Sequence, residues 1–145
     1  MRPLPLLFIA ASGLVSAAFA ADSDAPQLPP PSDKTGLTYD ADIRPIFEAN
    51  CFRCHGEQKH KGEIRLDSLA GVLKGGEDGK IVVPGKSAES AIVLAIARVN
   101  PKTAMPPIRK GGSQGGGPAG APPPALPLTP EQVGLVRAWI DQGAK

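Results

Sequence analysis

The sequence predicts an all-α chain, a small domain of about four helices separated by long loops. Three observations carry that expectation. Apolar residues recur three and four positions apart in several short segments. Those segments are bracketed by cap residues in front and by Gly or Pro behind. No strand–helix alternation of the βαβ kind appears between them.

The elements follow in order. Arg2 gives a short basic start, Leu4 to Val15 is an apolar run, and "SAAFA" sets small residues at Ala18 and Ala20. This is the pattern of a secretory signal peptide over residues 1–20, cleaved near Ala20. Residues 21–36, "ADSDAPQLPPPSDKTG", are rich in Pro and Asp without apolar periodicity and read as a flexible tether. The domain is then expected over 37–145. Its first helix runs from Asp40 or Asp42 to Cys51, with Ile43, Phe47 and Cys51 on one face. Pro45 suits the first turn if Asp42 is the cap, and kinks the helix if the cap lies earlier. In "RLDSLAGVLKGG", Asp67 or Ser68 caps a short helix that Gly75 and Gly76 stop. In "IVVPGKSAESAIVLAIARVNP", Pro84-Gly85 turns, Ser87 caps, and a nearly all-apolar helix runs to Val99 before Pro101 ends it. A helix apolar all round is a buried one. The last helix has Thr129 as cap, Pro130 in the first position and Gln132 completing a capping box. Val133, Val136 and Ile140 form its stripe, Leu135 and Trp139 lie beside it, and Gly143 closes it. Residues 110–127, "KGGSQGGGPAGAPPPALP", form a Gly/Pro-rich surface loop that cannot build a core.

Length and charge bound the function. Without the signal the chain supplies one small domain that buries about two-thirds of its unfolded surface, so its stability is marginal. Aromatic content is 4%, which leaves few large apolar plates and room for a bound planar cofactor to act as one. The net charge of +2, with both signs scattered, argues against a nucleic-acid partner, which would need a basic stripe.

The chemistry concentrates in "EANCFRCHGEQKHKG", Glu48 to Gly62, which holds every Cys and His of the chain. A structural zinc site would have to count Cys51, Cys54, His55 and His60, all within ten residues, with no ligand pair from elsewhere. A redox-active disulfide of the thioredoxin kind belongs at a strand end in a βαβ setting. Covalent haem is the third reading. In Cys51-Phe52-Arg53-Cys54-His55 two thiols can form thioethers with the haem vinyl groups, and His55 follows as an iron ligand. Attachment of that kind takes place outside the cytoplasm, in agreement with the signal peptide, so residues and compartment favour haem.

Taken with "DIRPIFEANCFRCHG", "KGEIRLDSLAGVLKGG", "IVVPGKSAESAIVLAI", "AMPP" and "LTPEQVGLVRAWIDQGA", in that order, the chain resembles the monohaem c-type cytochromes, specifically the planctomycete-type cytochrome c family. The resemblance implies a cytochrome c-like helical domain around one covalent haem c, with the first and last helices packed together. It also implies a methionine as second iron ligand, which falls on Met105, the only methionine besides Met1. His60 is a competitor, but its five-residue separation from His55 makes a solvent-exposed position the expectation. With His55 and Met105 on iron, the expected role is single-electron transfer between periplasmic or otherwise exported redox partners, without catalysis or stable membrane insertion. A haem sensor or peroxidase-like protein with an open distal site is an alternative, as is a c-type docking module of a larger dehydrogenase.

Overall fold

Pro45 sets where the first helix begins. The structure, a computed structural model, describes residues 27–107 and 126–145. The signal peptide read over 1–20 and nearly all of the loop read over 110–127 lie outside the described residues. Thr38 accepts the Ala41 N–H on its side chain and starts a helical turn at Tyr39. A regular α-helix from there would need an N–H that Pro45 lacks, and the proline ring would crowd the carbonyl four residues back. The turn Tyr39–Ile43 instead widens to the π form, with the Arg44 N–H reaching Tyr39 O. Helix α1 (Arg44–Asn50) follows with Pro45 in its first turn. Neither Asp40 nor Asp42 is the cap expected from the sequence: Thr38 caps the π turn and Ile43 precedes α1, while Pro45 does fall in the first turn of the α-helix.

The remaining helices are α2 (Phe52–His55), α3 (Leu69–Lys74), α4 (Ala91–Ile96) and α5 (Pro130–Asp141). Among the described residues there are isolated β-bridges but no strand, so the fold is all-α as expected. Two helices match the sequence reading closely. Ser68 caps α3 by accepting the Gly71 N–H at 3.2 Å, and Gly75 ends it at φ 84°. Thr129 and Gln132 form both halves of the capping box on α5.

The core lies between the first helical segment and α5. Tyr39, Ile43 and Phe47 are fully buried against Val133, Val136, Trp139 and Ile140. The Tyr39 ring sits between Phe47 and Trp139, with centroids 6.4 and 5.9 Å away. The Tyr39 N–H and the Trp139 indole both donate to Lys145 O, at 2.9 and 2.8 Å. First and last helices therefore pack together, as the resemblance implied. Burial of each large apolar side chain contributes roughly 1.5–3 kcal/mol, so these residues dominate the stability of a small domain.

Two expectations need correction. Ser87 does not cap one long helix to Val99. It opens a single 3-10 turn, Ser87–Glu89, and α4 starts after Ser90 and stops at Ile96. The reason is tertiary. The Ser87 N–H and hydroxyl both donate to the Asp141 carboxylate at 2.8 Å, which draws Ser87 onto α5. Ser90 is buried too, its hydroxyl donating to Lys86 O and accepting the Val83 N–H. The stretch 21–36 is not a flexible tether over its described part. Ser32 N–H donates to Gly134 O at 2.9 Å, Arg137 donates to Pro29 O, and Gln142 donates to Lys34 O at 2.8 Å. Leu28 packs on the core. Residues 27–36 form an arm bound along α5, because that helix offers donors and a glycine gap where the arm crosses.

Candidate functional site

The Cys-x-x-Cys-His segment occupies one tight turn. The chain bends at Cys51, which ends α1 through its N–H on Phe47 O at 2.7 Å and precedes α2. Cys51 O then accepts from both Cys54 N–H (3.0 Å) and His55 N–H (2.9 Å). Two thiols and an imidazole therefore project from a single helical turn. Gly56 follows because nothing larger fits: a Cβ there would lie 2.5 Å from Phe52 O. The turn is tied to the core beyond it. His55 O accepts the Leu66 N–H at 2.7 Å, and Leu66 O accepts the Tyr39 hydroxyl.

Both cysteines are free thiols and half-buried. Burial, and after it the neighbouring Cys54, pushes the Cys51 thiol up to about 12. A dithiol that attacks disulfides needs the opposite shift, toward a thiolate at neutral pH. Burial therefore works against Cys51 as a thiolate nucleophile in this fold. The His55 ring is half-buried, and its Nδ1 is buried without a hydrogen-bond partner. Burial lowers the pKa of His55, against a smaller upward pull from backbone groups of Ile64 and Lys61 that miss hydrogen-bond geometry with Nδ1. Its imidazole is thus neutral at neutral pH, the form that binds metals. His60 returns beside His55 in an antiparallel bridge, with its side chain exposed. Among the described residues, no three of His, Cys, Asp and Glu converge as a set that could hold a metal ion, and Cys51, Cys54, His55 and His60 are no exception.

Met105 lies past α4. Its N–H donates to Ala95 O at 2.9 Å, and the Pro106 carbonyl accepts from Arg98 Nη1 at 2.8 Å. Ala104 and Pro106 on either side are buried, while Met105 itself is 38% exposed. A gap-filling core methionine would show the reverse. The side chain stands outward from backbone that is held on both sides.

The outer faces of α1 and α2 border a groove of about 440 Å³ lined by Arg44, Glu48, Phe52, Arg53, Glu57 and Lys59 among others. The Arg44 guanidinium stands 5.8 Å over the Phe52 ring. Sequence reasoning singled out Cys51, Cys54, His55 and Met105 but missed Arg98, Gly56 and the Tyr39–Leu66 brace. The glycine after the histidine was a visible signal; Arg98 and Tyr39 act through tertiary bonds and left none.

A small helical domain carrying a dithiol–imidazole turn and an outward methionine is the class that fold and site define. Residues 51–108 match the family described as Planctomycete cytochrome C, confirming the resemblance over that segment. The match begins at Cys51 and takes in Met105. A cytochrome c family points to a haem-binding domain of the electron-transfer kind. No curated protein and no solved structure matches the chain. Among the described residues no helix is long and apolar enough to cross a membrane.

Proposed function

We propose that this chain is an exported monohaem cytochrome c that carries single electrons between redox protein partners. Cys51 and Cys54 would hold its haem through thioethers, and His55 and Met105 would be the residues that ligate the iron. The observation that carries the reading is the Cys51–His55 turn. It offers two free thiols and a neutral imidazole from one helical turn, with the inner imidazole nitrogen unpartnered. That donor set fits haem c and suits neither a dithiol nucleophile, given the raised Cys51 pKa, nor a closed zinc site.

Each residue has a defined task. Cys51 and Cys54 anchor the group covalently. His55, fixed by its backbone bonds to Cys51 and Leu66, presents its outer nitrogen. Met105 supplies a thioether from a loop already held at its backbone. Phe52, Ile64, Leu69 and Leu73 pack on the core yet keep part of their surface outward, apolar area that a macrocycle can cover. Bound haem would supply a one-electron iron couple, and His55 and Met105 together would keep the iron for electron transfer rather than substrate binding. The signal over 1–20 would deliver the chain to the compartment where attachment and the redox partners are found.

Visible spectroscopy with a redox titration tests this. The exported protein should show reduced and oxidised c-type haem spectra and a reversible one-electron titration. Met105→Ala should lose the weak far-red methionine–iron band and bind carbon monoxide, whereas His60→Ala should change neither. A colourless protein that titrates as a two-electron dithiol would sink the proposal.

A further inference from the structure

Resting on the reading of Met105 as an iron ligand, we propose that Arg98 is the positioning residue that presents its thioether. Arg98 stands just past α4 with φ at 60°, the left-handed region that glycine occupies readily and other residues rarely do. A residue in that conformation can still use its side chain to hold a neighbouring segment. Arg98 does so: Nη1 donates to Pro106 O at 2.8 Å, from a half-buried position. A charged donor makes this stronger than a bond between neutral groups.

The bond closes the loop from 98 to 106 at the residue directly after Met105. On the other side, the Met105 N–H is held by Ala95 O in the last turn of α4. Between these ends Asn100 shapes the chain, its side chain accepting the Lys102 N–H at 2.9 Å and its carbonyl the Thr103 N–H at 3.1 Å. Met105 is thus flanked by two backbone pins while its side chain stays 38% exposed. Holding the backbone before the ligand bond forms lowers the entropy that ligation would otherwise lose. Of the two pins, only the Arg98 bond depends on a side chain.

The test compares three full-length exported variants with the parent: Arg98→Gly, Arg98→Lys and Met105→Ala. Glycine suits the left-handed backbone, so Arg98→Gly removes the guanidinium without adding strain. The expected result is intact haem attachment, a weakened far-red band, and imidazole binding to the oxidised iron tightened about tenfold, the scale of one charged hydrogen bond. Arg98→Lys, which can still donate to Pro106 O, should recover part of both signals. Exchange of the Met105 amide hydrogen in the unloaded chain should also quicken in Arg98→Gly, a readout independent of haem. An Arg98→Gly protein with the parent's band and imidazole affinity overturns the proposal. If the glycine variant fails to fold, Arg98→Asn, which also tolerates the left-handed backbone but is too short to reach Pro106 O, takes its place, and an Arg98→Asn protein with the parent's band and imidazole affinity overturns the proposal. A parent that lacks the band and binds imidazole as Met105→Ala does would instead remove Met105 as a ligand, a separable failure of the underlying reading.

Discussion

Tyr39 ties the first helical segment to α5 and to the segment behind His55. Its ring separates Phe47 from Trp139, and its hydroxyl donates to Leu66 O, the residue whose N–H holds His55 O. Burial pushes its pKa from 10.0 to about 12. A raised folded pKa means that the folded state keeps a proton the unfolded chain has lost. Stability from this group is complete below 10.0 and is lost as pH climbs toward about 12. Tyr39→Phe should cost about 1 kcal/mol at neutral pH, by leaving the Leu66 carbonyl without its donor. The same variant should lose less stability than the parent between 10.0 and about 12. Denaturant melts across that range check both effects, and tyrosinate absorbance follows the group directly because the chain has one tyrosine. Equal alkaline losses in the two proteins would remove Tyr39 from this role.

The helices divide by where their instructions lie. The capping box of α5 and the serine cap of α3 are local, set by residues three apart, and so were legible in the sequence. The break between the 3-10 turn and α4 was not, because it depends on Ser87 bonding Asp141, far away in the chain. The arm over 27–36 escaped for the same reason: a Pro-rich stretch without periodicity looks unstructured until its bonds to α5 are seen. The candidate site was legible in its donors, since Cys51, Cys54 and His55 are contiguous. The parts that support it, Arg98 and the Tyr39–Leu66 brace, were not. Gly134 tests the arm. A Cβ there would lie 2.8 Å from Pro30 O, so Gly134→Ala must push the arm off α5 or strain both. We expect a destabilisation of about 1–3 kcal/mol and faster proteolytic cleavage near Pro30, measured by thermal melting and limited digestion. An unchanged melt and digestion pattern would show that the arm contributes nothing at this crossing.

At the scale of the whole molecule, the chain has 145 residues and 4% aromatic content, and its described residues build their core as a cluster around Trp139. Phe52, within the Cys51–His55 turn, packs on the core but stays half-buried, with apolar surface left to cover. Covalent haem would supply that cover, and would link export, folding and redox function in one event. A chain starting at Ala21 and kept in the cytoplasm should therefore remain unloaded and melt at lower temperature than the exported protein. The most direct test of the central claim is the intact mass of the exported, purified protein under denaturing conditions. A covalently loaded chain carries the added mass of one haem, and the addition disappears in the Cys51→Ser, Cys54→Ser double variant. A parent whose mass is that of the bare polypeptide, with free thiols or a disulfide at Cys51 and Cys54, would contradict it.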